Sequence, residues 1–111
     1  MKTTRLLPLL TIALGFAAGT ALAAPAADNW TDKCASCHGA DGKAQTKVGK
    51  KLKIRDYTDA AVQAELKDDA MIKATTDGVT VDGKEKMKAY KDTLTADEIK
   101  DLVAYIRKFK A

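Results

Sequence analysis

The sequence predicts a small all-α domain of three to five helices, and three observations carry that expectation. Near the C-terminus Ile99, Leu102, Val103 and Ile106 fall at i, i+3, i+4 and i+7, an apolar stripe that Phe109 extends. No segment shows a period-two strand pattern worth naming. The interior is also thin. From Ala24 onward 37 of 88 residues are hydrophobic and 15 of those are alanine, which leaves 22 larger apolar side chains. Chains of this size bury only about 60% of their unfolded surface and commonly need a staple, metal or cofactor. The 111 residues therefore fit one domain whose core something other than side chains completes. A large enzyme with a deep protein-lined pocket is excluded.

Residues 1–23 read as a secretory signal peptide and residues 24–111 as the domain. Lys2 and Arg5 precede an uncharged run, and Ala21-Leu22-Ala23 has the small-x-small form of a cleavage site. Residues 6–24 are just long enough to span a bilayer as an uncleaved anchor, but Pro8, Gly15 and Gly19 interrupt them. The expectation is export to the periplasm, with no membrane span after cleavage. A short helix follows at 28–37, with Trp30, Cys34 and Cys37 on one face and Gly39 closing it. Residues 40–55 read as loop, with Val48, Leu52 and Ile54 as inward contacts. Thr58 is a cap for a helix to about Leu66, and Asp68 caps another that carries Met71, Ile72 and Thr75 and stops at Gly78. Residues 79–93 have no regular period. The final helix has the fullest local code: Thr95-x-x-Glu98 is a capping box, Leu94 can staple against Ile99, and Lys108 and Lys110 suit the negative end of the dipole.

The chemistry lies in Cys34-Ala35-Ser36-Cys37-His38. In an exported chain a Cys-x-x-Cys pair can be a disulfide, a redox dithiol or half of a zinc site. Zinc needs four ligands, and His38 is the only histidine. A redox dithiol lacks its usual βαβ setting. The histidine directly after the second cysteine completes the attachment signature of a c-type haem, with a structural disulfide as the main alternative. Thiols at i and i+3 share a helix face and can reach one edge of a porphyrin, while the next residue points its imidazole at the iron. Cys34 and Cys37 are thus the candidate covalent haem thioethers, and His38 the proximal iron ligand.

Over nearly its whole length from Ala24 the chain resembles the class I c-type cytochromes, small monohaem proteins with His/Met-ligated iron. The matching segments are the N-terminal helix running into the Cys34–His38 motif, Met87-Lys88-Ala89-Tyr90, and the final helix from Leu94 through Arg107. The resemblance implies the small cytochrome c fold around one covalently attached haem c. Its first and last helices cross, with Trp30 on one side of the crossing and Leu102 and Tyr105 on the other. It also implies Met87 as the distal iron ligand. Met71 is the other candidate; its mid-helix place beside Ile72 suits a core filler near the haem edge. The chain departs from the family in two places. It has no proline after Pro25, so the carbonyl that orients His38 is not identifiable, and Lys88 stands where many members have proline after the distal methionine.

Histidine and methionine on the two axial positions leave none for oxygen or substrate, and the neutral thioether favours Fe(II). The expected function is a soluble exported electron carrier, not an enzyme, with no catalytic residues. Alternatives are an electron-transfer subunit of a larger exported oxidoreductase, or a haem enzyme or gas sensor with a displaceable sixth ligand. No second histidine is present to serve the last of these. Without Lys2 and Arg5 the polypeptide carries a net charge of about +2, too mild to argue for nucleic acid. Lys43, Lys47, Lys50, Lys51, Lys53 and Arg55 form an acid-free run, and Lys84, Lys86, Lys88 and Lys91 surround Met87. The expected partners are redox proteins with an acidic docking patch, met by a monomer.

Overall fold

Pro25, whose missing N–H costs nothing at a helix start, leads into α1 (Ala26–Asn29). The chain then winds wider, as a π-helical segment (Trp30–Cys34), before returning to α geometry in α2 (Ala35–His38). Gly39, at φ 83°, ends it. The computed structural model describes Gly15 and residues 24–109; the rest of the expected signal segment, its cleavage site and Lys110 lie outside the described residues. The helix expected at 28–37 is in place, but apolar spacing could not reveal the π turn. The wider winding carries through to its C-cap, where the Ala35 N–H donates back five residues to the Trp30 carbonyl.

A helix replaces part of the expected loop at 40–55. In α3 (Lys47–Leu52) the Thr46 hydroxyl accepts from the Gly49 N–H (2.8 Å) and donates to the Cys37 carbonyl (2.7 Å). One side chain thus caps α3 and ties it to α2. Gly49 is needed at a close approach: a Cβ there would run into the Ala44 carbonyl oxygen and lie 2.8 Å from that of Cys37. Next comes α4 (Ala60–Glu65), capped by Asp59 and not by Thr58, whose N–H and hydroxyl both donate to Asp56. α5 (Asp68–Asp77) follows, beginning at Asp68 with Lys67 as its uncapped N-cap.

Residues 79–93, without period in the sequence, contain an antiparallel hairpin of β1 (Val79–Val81) and β2 (Lys84–Met87). Its turn is Asp82-Gly83 with φ 52° and 75°, the both-positive turn that suits the strand twist. Val79 pairs with Met87 and Thr80 with Glu85, so Lys86 is an extra, bulged residue. The strands escape notice because all of β2 except Met87 is exposed, and a two-sided solvated ribbon has no alternation.

α6 (Ala96–Ile106) carries the expected capping box, with Thr95 accepting from the Glu98 N–H and Glu98 accepting from the Thr95 N–H, both at 3.1 Å. Ile99, Leu102, Val103 and Ile106 are all buried, as is Leu94. α6 packs against α1 and α5, and Trp30, Ile99 and Leu102, each 2% exposed, form the centre of the core. A buried amide clamps the α1–α6 contact: Asn29 Nδ2 donates to Glu98 Oε2 at 3.0 Å. No described helix is long and apolar enough to cross a membrane.

Two predictions follow from these contacts. Gly49→Ala forces a methyl against the Ala44 and Cys37 carbonyls and is expected to cost about 1–3 kcal/mol, read as a lower melting temperature of the holoprotein. Glu98 is held below the usual carboxylate range first by the Asn29 amide and then by the Thr95 N–H. Its contribution to stability is therefore full above the ordinary carboxylate value and disappears as pH falls through the depressed one. Glu98→Gln should flatten that acid limb in melts across pH; an unchanged limb would show that other carboxylates set it.

Candidate haem site

The three residues of the attachment signature sit on a helical stretch whose position is fixed from several sides. Trp30 donates its indole N–H to the Gly39 carbonyl (3.0 Å), which locks the end of α2 back onto the π segment. The Ala44 N–H donates to the His38 carbonyl (2.8 Å), and Thr46 binds the Cys37 carbonyl. The side chains of Cys34, Cys37 and His38 consequently face one cleft of about 600 Å³, within the ~300–1,000 Å³ of small-molecule and cofactor sites. Leu52, Ile54, Tyr57, Ala74, Val79, Met87 and Tyr90 supply its apolar and aromatic walls. A narrower cavity of about 150 Å³ adjoins it, sharing Cys34, His38, Tyr57, Ala74 and Met87 and reaching inward to Trp30, Leu102 and Ile106.

Both candidate methionines border this space, in different ways. Met71, 7% exposed in mid-α5, lines only the inner cavity and belongs to the core cluster. Met87, half-buried at the end of β2, lines both the inner cavity and the outer cleft. Gly78 lets its strand approach: at φ 76° it lies so close that a Cβ would meet the Met87 carbonyl oxygen at 2.6 Å and the Ala89 nitrogen at 2.8 Å. Beyond Met87 the Tyr90 hydroxyl donates to the Lys33 carbonyl (2.8 Å), and its N–H to the Thr75 carbonyl (3.0 Å). The loop after Met87 is thus tied both to the π segment and to the end of α5.

Burial pushes Cys34, His38, Tyr57 and Tyr90 toward their neutral forms. It pushes the Cys34 thiol up to about 11 and raises the Tyr57 and Tyr90 phenols. It lowers the His38 pKa, so the imidazole is neutral and its lone pair free for a metal. His38 Nδ1 is buried and has no hydrogen-bond partner. The ring instead lies face-on to Tyr57, centroids 5.3 Å apart and planes at 18°, with Trp30 at 5.6 Å. Cys34 and Cys37 are free thiols. Among the described residues no group of three His, Cys, Asp or Glu side chains could hold a bare metal ion. An apolar slot with two free thiols, one neutral imidazole and a thioether fits a haem, which brings its own ring nitrogens to the iron.

Charge gathers at the mouth. Lys33, Lys53, Arg55, Lys86 and Lys88 line the outer cleft against one acid, Glu85. Of the basic run, Lys53 and Arg55 reach this rim, while Lys43, Lys47, Lys50 and Lys51 do not line it. Lys33 and Tyr57 escape a sequence reading, since neither lies in a motif. Gln63 escapes it too: it is 6% exposed, and its amide donates to the Tyr57 carbonyl (2.7 Å) and the Ile106 carbonyl (2.9 Å).

No curated protein sequence matches the chain. Among solved structures it is similar to the KustC0563 c-type cytochrome, with 34% identity and a TM-score of 0.69 over 78% of this chain and 98% of that one. A tyrosine-to-phenylalanine variant of that protein matches with 34% identity and a TM-score of 0.67, over 78% and 99% of the two chains. Residues 21–106 match the family described as cytochrome c oxidase, cbb3-type, subunit III. The chain belongs to this family of small c-type cytochromes, haem proteins that transfer electrons.

Proposed function

We propose that the protein is an exported single-haem electron carrier in which Cys34 and Cys37 hold the haem through thioethers and His38 and Met87 take the two axial positions. One observation carries the reading: the only two cysteines, the only histidine and Met87 all line a single cleft. When bound, the haem supplies one-electron exchange between Fe(III) and Fe(II). The chain's residues set the conditions for that exchange. His38, kept neutral by burial, presents a nitrogen donor from a backbone held on both sides. Met87 presents a soft, uncharged sulfur that raises the potential relative to a second nitrogen. Trp30, Leu102 and Ile106 give the inner cavity apolar walls, a low-dielectric surrounding that would disfavour the more positive oxidised centre. With His38 and Met87 both given to the iron, no position would remain for a substrate, and the protein would work as a carrier.

The same cleft proposes a partner. Five cationic side chains around its mouth suit an acidic patch on a redox protein, steering encounter toward the haem edge and raising the association rate more than the final affinity. Export rests on the sequence of residues 1–23, and a periplasmic protein is the consequence. A second reading, a subunit of a larger exported oxidoreductase, is favoured by the description of the matched family as an oxidase subunit. The native mass separates the two: a carrier runs as a free monomer.

In the oxidised holoprotein, Met87→Ala is expected to abolish the sulfur-to-iron charge-transfer band, lower the potential and admit small ligands such as imidazole. Met71→Ala should keep the band and, as a buried Met-to-Ala change, cost about 2–5 kcal/mol of stability. A band that survives the first change and disappears with the second assigns the ligand to Met71.

The rate of electron exchange with the natural partner should fall as salt rises, since screening acts over about 8 Å at physiological ionic strength. Lys86→Glu with Lys88→Glu should slow it further and leave the optical spectrum intact, whereas Lys108→Glu, past the end of α6, should matter less. A bimolecular rate indifferent to salt and to all three changes removes charge from the docking mechanism.

A further inference from the structure

The attachment motif fixes where His38 sits but leaves the rotation of its ring free. In metal sites the second imidazole nitrogen commonly sets that rotation by donating to a carbonyl or carboxylate. Here Nδ1 is buried and unpartnered, and of the two rings against the imidazole Trp30 is tilted at 43° while Tyr57, at 5.3 Å, lies nearly parallel to it. Tyr57 lies in the segment between α3 and α4, outside any helix, so its own place must be fixed by other contacts. Its N–H donates to the Gly42 carbonyl (2.9 Å), and its carbonyl accepts from Gln63 Nε2 (2.7 Å).

Gln63 is oriented in turn. Its second amide bond goes to the Ile106 carbonyl (2.9 Å), and its Oε1 accepts from Arg107 Nη1 (3.0 Å). A buried amide with both donors and its acceptor engaged has one orientation only. Arg107 also binds the Gln63 carbonyl (2.7 Å), the Leu66 carbonyl (2.6 Å) and Asp68 Oδ1 (2.9 Å), so its planar guanidinium is held from three sides.

We infer that Gln63 and Arg107 are positioning residues for His38, acting through the ring of Tyr57. The inference rests on His38 being the proximal ligand. The end of α6 thereby sets the plane of an imidazole more than sixty residues earlier, a task that a hydrogen bond to Nδ1 would otherwise perform. The orientation of an axial imidazole splits the iron d-orbitals, and the oxidised haem reports it directly in the pattern of its hyperfine-shifted methyl resonances.

The test is NMR of the oxidised holoprotein, with melting temperature measured in parallel. Gln63→Leu and Tyr57→Leu are expected to reorder or compress the methyl pattern, while Tyr57→Phe, which keeps the stacked ring, restores it. Arg107→Met should produce a smaller change in the same direction as Gln63→Leu, and covers the case in which that variant does not fold. Val62→Ala, beside Gln63 on α4 but outside the chain of bonds, should lower the melting temperature and keep the pattern. A foldable Gln63 or Arg107 variant with a lowered melting temperature and the parental pattern overturns the inference, as does a Val62→Ala pattern shifted equally. Failure of the ligand assignment itself shows differently, as a parent protein without the low-spin spectrum of an imidazole-ligated haem.

Discussion

The indole of Trp30 occupies the place where the two ends of the domain meet, and its contacts tie the site to the core. Its ring lies 5.0 Å from Phe109 and 5.8 Å from Tyr105, at the far end of the chain, and 5.6 Å from His38. Its N–H closes on the Gly39 carbonyl. The same side chain therefore helps join α1 to α6, ends the helix that bears the two thiols, and backs the imidazole. With only 22 large apolar residues from Ala24 onward, the fold cannot separate a core from a site, and Trp30 serves both. Burial of the site follows directly: His38, Cys34 and Tyr57 are all displaced toward their neutral forms by desolvation that these core residues cause.

The division between what was legible in the sequence and what was not follows the range of the interactions. The capping box of α6 is a code a few residues long and stands in the structure as written, and the equally local Cys34–His38 motif brings its two thiols and imidazole to one cleft. The apolar stripe of α6 has a partner for every member, so it was legible as well. Helix α3 was missed because its cap, Thr46, has a second partner in Cys37, nine residues away, and its interior carries four charged or flexible residues. The Asp82-Gly83 dipeptide was the available sign of the hairpin, but strands exposed on both faces gave it no supporting alternation. Asn29, Gln63 and Arg107 were out of reach for a different reason. Their roles depend on bonds spanning 39 to 69 residues, which no local pattern encodes.

The two sides of the cleft are built with unequal stiffness. On the His38 side every anchor is within a helix, a cap or a buried network, and the carbonyls of Cys37 and His38 each accept a bond from the segment that follows. On the Met87 side the support is a three-pair ribbon exposed to solvent, one glycine contact at Gly78, and the bonds made by Tyr90. Few buried apolar contacts and an exposed ladder are the features that place a segment at the low-stability end of a fold. If the chain opens anywhere around the cleft, it opens first at Met87, and Tyr90, bonded to the carbonyl of Lys33 next to Cys34, is the contact that resists it. The cationic rim lies on this same side, with Lys86 and Lys88 on either flank of Met87. On the function proposed above, a partner docked there would cover the exposed ribbon and its bulge, so the contact that brought an electron to the haem edge would also steady the less firmly held of the two proposed ligands.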